Sequence, residues 1–458
     1  MLAGALGLAC GGAGGRPNLV LLTVDTLRPD RLACYGGAAD VGTALCALGE
    51  RGTRYAFAFS AAPSTAPSIA SLLTSRYPSE HGVSQFAETA LPRRGEGEAA
   101  GEIESVAELL RDAGYETAAF VSNPVLARSR RLDRGFAIYD DAMPRRERNR
   151  PLPERSAEEV TDAALAWLRV TRRPFFLWVH YQDPHGPYAP PEEPQVRDRP
   201  GAEVLPTLRD HSGYRGIPGY QVLTGLRSPE AYAARYEAEI RYLDVHVARL
   251  LQTLEAESRA TGVVLTADHG EAFGEDDYWF AHGHSVGLEQ IHVPLLLRPP
   301  QPVTAGAVVG ESVGTVDVAP TLLGWAGLPA PASFRGRPLP PGPDGEAGAT
   351  RTLFAEHRAR VAAIRGDVYL ARDLEGLDAP RPDRITGGEL HPLPERAARL
   401  GTPAVGPPPY RPPEEVPGAG ELGPLLSAHA ESAPRPEADP APVDPDARER
   451  LRELGYLE

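Results

Sequence analysis

Apolar runs and amphipathic stretches alternate along the first two thirds of this chain. Asn18–Val24 is largely apolar and stops at Asp25, which predicts a buried strand. Similar runs predict strands over residues 117–121, 174–180, 262–267 and 293–298. Between them, helices are expected over 43–51, 67–75, 102–113, 156–170, 230–257 and 318–326. Pro67 suits a first helical position, and Ser156 with Glu159 three residues on forms a capping box. Strands alternating with helices of this length predict an α/β fold, a mostly parallel central sheet with helices on both faces. The pattern changes towards the C-terminus. Residues 352–372 carry β-type runs that predict a small antiparallel subdomain. Residues 380–445 are rich in Pro, Gly and charge, as in an extended wrap or a disordered linker. The chain therefore divides into an N-terminal tail (1–15), a large α/β domain (16–345), the small subdomain (346–379), the Pro-rich wrap or linker (380–447) and a terminal helix (448–458).

Composition narrows the function. With 458 residues and 42% hydrophobic content, the chain can bury a large core. A net charge of -15 argues against nucleic acid as a partner. All basic residues are arginine, so lysine-dependent catalysis is excluded. The three cysteines are Cys10, Cys34 and Cys46. An odd count argues against a disulfide framework, and Cys34 and Cys46 read as buried apolar residues. Cys10 closes Leu6-Gly7-Leu8-Ala9-Cys10, which looks like a lipoprotein signal with an acylated cysteine. That reading makes the protein exported, periplasmic or cell-surface, and touching a membrane only through the lipid on Cys10. The other reading is a fortuitous tail. No apolar run reaches the roughly 18 residues of a membrane span. Oligomeric state is not legible.

Two acidic residues, Asp25 and Asp268, end two predicted core strands. Ligands of open α/β sheets bind beyond the carboxyl ends of the strands, and buried carboxylates need a partner, often a metal. His269 follows Asp268 directly. Thr65 is expected just before a helix, beside free N–H groups and the positive end of the helix dipole, where an oxygen nucleophile could meet a tetrahedral anion. Singly, each has a plainer reading as a cap or turn former.

Their order and company say more. Residues 20–28 (Val-Leu-Leu-Thr-Val-Asp-Thr-Leu-Arg), the segment Ser64-Thr65-Ala66-Pro67-Ser68-Ile69-Ala70-Ser71-Leu72-Leu73-Thr74, Tyr77-Pro78-Ser79-Glu80-His81-Gly82, Asp183-Pro184-His185, Asp268-His269-Gly270-Glu271, Val293-Pro294-Leu295 and residues 317–323 (Asp-Val-Ala-Pro-Thr-Leu-Leu) occur in sequence. Over residues 16–330 this resembles the sulfatase family of the alkaline phosphatase superfamily. The resemblance implies that Asp25, Asp268 and His269 are metal ligands. It puts Thr65 at the nucleophile position, its oxygen also facing the metal. His185 matches a histidine contacting the sulfate or phosphate. His284 lies near where many sulfatases carry a lysine contacting the ester, with His282 a second candidate for binding the anion or protonating the leaving oxygen. Ser122-Asn123-Pro124 stands roughly where the family has another lysine, which makes Asn123 a substrate-binding candidate. His180 reads as a packed strand-end residue, Arg28 as a surface arginine, and Glu271 as orienting His269 or capping a turn.

The departures are informative. Thr65 replaces the oxidisable Cys or Ser of the signature, Ile69 replaces its Arg, and Thr26 stands where calcium sulfatases have a second Asp. Formylglycine cannot be made from threonine. Two carboxylates, an imidazole and a hydroxyl suit one divalent zinc or manganese ion better than calcium, which takes about six to eight oxygens. A second metal using His282, His284 or His185 stays open. The expected activity is metal-dependent hydrolysis of a phosphate or sulfate ester, phosphoester first, on a small-molecule, lipid or glycan substrate. The alternatives are a non-catalytic surface lipoprotein binding glycans or anions, and a phosphoethanolamine-type transferase.

Overall fold

The computed structural model describes residues 15–85, 89–93, 103–146, 153–198, 201, 203–342, 351–358, 360–373, 385–389 and 418–432. Cys10 and the expected terminal helix lie outside them. The central sheet has eight strands: β1 (Asn18–Val24), β2 (Thr53–Phe59), β3 (Glu116–Val121), β4 (Ile138–Asp140), β5 (Phe175–Tyr181), β6 (Thr261–Ala267), β7 (His292–Arg298) and β8 (Ala307–Gly314). Their order is β8-β2-β7-β6-β1-β5-β3-β4. Only β7 runs against its neighbours; all other pairs are parallel. β1 is buried at every position because it lies mid-sheet with both faces covered, and so its sequence runs apolar rather than alternating.

Helices α1 (Thr43–Glu50), α2 (Thr65–Thr74), α3 (Val106–Asp112), α4 (Ala157–Leu168), α5 (Pro229–Glu255) and α6 (Val318–Trp325) cover the sheet. The Ser156 and Glu159 capping box forms as expected. Helix α2 starts two residues before Pro67. Proline is tolerated there because first-turn N–H groups have no partner within the helix. Ile69, in the place of the family's arginine, faces the core.

Two corrections follow. Cys34 and Cys46 form a disulfide, with Cα atoms 5.6 Å apart. The short 3-10 turns at Pro29–Arg31 and Ala33–Tyr35 fold the chain back so that two cysteines twelve residues apart meet. The expected small sheet is present as β9 (Leu353–His357), β10 (Arg360–Arg365) and β11 (Val368–Asp373), all antiparallel. It continues into the region read as wrap or linker: β12 (Ile385–Glu389) pairs with β11, and helix α7 (Ala419–Ser432) sets Leu422 and Leu426 against Val361, Ala363 and Leu370. The other face of this sheet packs Ala362, Ile364 and Tyr369 against Phe57, Phe59 and Ile291 of the large domain.

Candidate active site

The carboxyl ends of β1, β5 and β6 converge. Register pairs Val24 with both Tyr181 and Ala267, so the next residues, Asp25 and Asp268, stand side by side just beyond the sheet. Both are fully buried. The backbone N–H groups of Thr26 and His269 donate to Oδ1 of Asp268 at 3.2 and 2.8 Å. Thr26 holds a left-handed conformation, φ 55°, which is strained for a β-branched residue. Its carbonyl is fixed by the Tyr236 hydroxyl at 2.6 Å.

Thr65 is the first residue of α2 rather than the residue before it, and Ser64 is the cap. Its buried Oγ1 lies 3.2 Å from Nε2 of His269. That nitrogen is 3.6 Å from a carboxylate oxygen of Asp25 and 3.6 Å from one of Asp268. Nδ1 of His269 donates to the Gly270 carbonyl at 2.8 Å, so Nε2 carries the lone pair. His185 is anchored in the same way: Nδ1 donates to the Gly186 carbonyl at 2.7 Å. Gly270 has no room for a side chain, since a Cβ there would lie 2.2 Å from the Glu289 carbonyl oxygen; a Cβ on Gly186 would lie 1.9 Å from the Gln221 side-chain amide, which would have to move.

His180 belongs to this group, against the expectation that it merely packs a strand end. It pairs in register with Thr23, whose hydroxyl holds Nδ1 at 2.8 Å and accepts from Trp178 at 2.9 Å. Nε2 is turned to Asp25, 3.7 Å away. Asp25, His180 and Asp268 bring their ligand atoms within 4.8 Å of one another. Asn123 donates to Asp25 at 2.5 Å and accepts from the Val125 N–H, so its amide orients a carboxylate.

His282 and His284 separate. The His282 ring lies 4.4 Å from His269 and 5.1 Å from His185, and Nδ1 meets Glu271 at 3.0 Å. His284 stacks on Tyr278 at 3.6 Å and bonds Gln290. Among the described residues, its contacts do not include Asp25, Asp268 or Thr65. Arg28 is buried rather than on the surface, paired with Asp30 and Glu275.

The electrostatics describe a site built around positive charge. Burial pushes Asp25 up, but His185, His180 and His269 outweigh it and hold the carboxyl below its usual range. Burial, then the Asp25 carboxylate, raise Asp268 well above the ordinary value. Burial lowers His269 to about 3. For His282 burial also acts downwards, yet Glu271 more than offsets it and the imidazole is raised. Around the paired carboxylates, Oδ1 of Asp25, Oδ2 of Asp268, Oγ1 of Thr26 and Nε2 of His180 are buried without a hydrogen-bond partner. Unpaired buried acceptors are costly, and a cation would satisfy them. The spacing fits one. Ligands about 2.1 Å from a tetrahedral ion lie about 3.4 Å from each other, against 3.2, 3.6 and 3.6 Å here.

Known proteins agree with this architecture. The family model described as Sulfatase matches residues 17–328. The chain is 24% identical to the extracellular sulfatase SULF-1 homolog of Drosophila melanogaster over 71% of its own length but only 31% of that protein's. It is 23% identical to an N-acetylglucosamine-6-O-sulfatase of Bacteroides thetaiotaomicron, covering 71% of this chain and 70% of that one. Among solved structures, one in complex with its substrate D-glucosamine-2-N,6-O-disulfate superposes with TM-score 0.67 at 18% identity, covering 93% of this chain and 99% of that one. A phosphonate monoester hydrolase from Silicibacter pomeroyi superposes with TM-score 0.65 at 20% identity, covering 93% and 97%.

Proposed function

This chain belongs to the sulfatase family, and on that premise we propose that it is a metal-dependent ester hydrolase with Thr65 as nucleophile, acting on phosphate esters before sulfate esters. The supporting observation is the Oγ1 of Thr65, buried at a helix N-terminus 3.2 Å from Nε2 of His269, the same nitrogen that lies 3.6 Å from the Asp25 and Asp268 carboxylates. A divalent ion, zinc or manganese before calcium, would be held by Asp25, Asp268, His269 and Thr65, with His180 as a further ligand, and would lower the hydroxyl pKa and neutralise charge on the ester.

This chain's residues supply the rest. The N-terminus of α2 offers N–H groups to the bound anion. With its proton released to solvent, Oγ1 of Thr65 bonds to phosphorus as the bond to the leaving oxygen breaks. That oxygen takes a proton from His282. A water then returns a proton to His282, its oxygen bonds to phosphorus, and the bond to Oγ1 breaks, leaving Oγ1 as the alkoxide that starts the next cycle. His185, beside the same ring, binds the ester oxygens. A sulfated threonine lacks the elimination route open to an aldehyde hydrate, which favours phosphorus. The fold shared with a phosphonate monoester hydrolase is compatible with this. The Cys34–Cys46 disulfide supports an oxidising, exported setting. No helix among the described residues is long and apolar enough to cross a membrane.

The test is metal content together with turnover of aryl phosphate, phosphodiester and sulfate substrates by wild type and Thr65→Ala. Bound zinc or manganese, with phosphoester turnover abolished by the substitution, is the expected result. Turnover that survives Thr65→Ala would remove the nucleophile from the mechanism. A metal-free, inactive protein would favour the anion-binding alternative.

A further inference from the structure

Glu271 belongs to the Asp268-His269-Gly270-Glu271 run, yet its side chain serves a different histidine. It is fully buried. Oε1 lies 3.0 Å from Nδ1 of His282, and Oε2 accepts from the Tyr188 hydroxyl at 3.0 Å. Its backbone carbonyl accepts from Arg28 at 2.8 Å, and Arg28 is itself fixed by Asp30 and Glu275. The carboxylate is therefore held at both oxygens, and the main chain beneath it by Arg28. An ionised carboxylate only accepts hydrogen bonds, so Nδ1 of His282 must be the donor. The nitrogen left to the pocket lined by His269 and His185 is Nε2.

His269 and His185 take their Nδ1 acceptors from their own following glycines, and His180 shares a hydrogen bond between Nδ1 and the Thr23 hydroxyl. His282 is followed by Gly283, but bonds Glu271 instead. Without that bond, an imidazole can turn over and exchange its two nitrogens. We propose that Glu271 is a positioning residue that fixes His282 so that Nε2, and not Nδ1, meets the leaving oxygen and the attacking water. This rests on the ester-hydrolase reading above. Both halves of that reaction use one nitrogen, so its placement matters twice.

Two measurements test it. The first needs no activity: ring-¹⁵N-histidine spectra of wild type and Glu271→Ala, with His282 assigned by its loss in His282→Ala. The expected wild-type signal is an Nδ1–H imidazole, and Glu271→Ala removes that preference. A wild-type ring with bare Nδ1 overturns the proposal. The second is a double-mutant cycle on an alkyl and a 4-nitrophenyl phosphate. Glu271→Ala should lower alkyl-ester turnover about 100-fold and the nitrophenyl ester only a few-fold, because a good leaving group needs little help. Glu271→Gln, which keeps an acceptor oxygen, should recover part of the loss. The double variant should be no worse than His282→Ala alone. Additive losses, or equal losses on both esters, would make Glu271 a general structural residue and overturn the proposal. If wild type turns over neither ester, the hydrolase reading falls, while the spectra still decide the role of Glu271.

Discussion

His81 and His180 are equally buried, and they do opposite things. His81 lies between α2 and the loop that follows. Nε2 meets the Ser71 hydroxyl at 2.9 Å, and Nδ1 accepts from the Val83 N–H at 3.1 Å. Both nitrogens are satisfied within a dozen residues of chain, and the ring is a neutral strut. His180 gives Nδ1 to Thr23 and leaves Nε2 without a hydrogen bond, opposite a carboxylate that is also short of a partner. Burial of a histidine therefore says little about chemistry. A buried nitrogen left unsatisfied beside a carboxylate whose other oxygen, Oδ1, is also unsatisfied says a good deal, because folding alone would not leave both unpaired.

The contrast can be broken in three places. The largest effect should come from Thr65→Ala, which removes the nucleophile and leaves the core intact. Phosphoester kcat/KM should fall about 10⁴-fold or more with little change in denaturant midpoint. A residual rate within tenfold of wild type would mean that the reacting oxygen lies elsewhere. Next, His180→Ala and His81→Ala should separate cleanly. The first should weaken zinc binding about 10–100-fold in equilibrium dialysis. The second should leave zinc affinity unchanged while lowering stability by about 1–3 kcal/mol. Equal zinc affinities in the two variants would erase the distinction drawn here.

The smallest effect is a pH dependence. Burial lowers His81 from 6.5 to about 3. In the unfolded chain the imidazole binds a proton below about pH 6.5, whereas the folded ring refuses it. Stability from this group is thus complete above pH 6.5 and is lost as pH falls towards 3, at about 1.4 kcal/mol per unit. Unfolding free energies of wild type and His81→Asn from urea titrations at pH 7 and pH 5 should converge by about 2 kcal/mol. Parallel pH profiles would show that His81 stays neutral in both states or charges in both.

Much of this was legible in the residues. The apolar run before Asp25, the capping box at Ser156 and the strand ending at Asp268 are local signals, and each element formed within a few residues of its expected bounds. What stayed hidden depends on partners distant in sequence. His180 joins the site through its register with Thr23, 157 residues away. Glu271 is close to His269 in the chain but is claimed by His282. The odd cysteine count concealed the pair at Cys34 and Cys46. Composition misread the tail: α7 carries Pro424 inside it, yet Leu422 and Leu426 still find an apolar face. Strand β8 escaped because its exposed alternate positions and its register shift between Val309 and Ser312 weaken the apolar pattern.

The acceptors that aim the histidines also differ in how readily inheritance can alter them. His269 and His185 lean on main-chain carbonyls, which every amino acid possesses, and main-chain crowding at Gly270 resists replacement there. Their orientation is therefore insulated from most point mutations. His282 leans on a side chain, so one codon controls its aim. Variation among descendants of this sequence should thus adjust proton transfer at position 271 long before it disturbs the buried acid and imidazole cluster beneath.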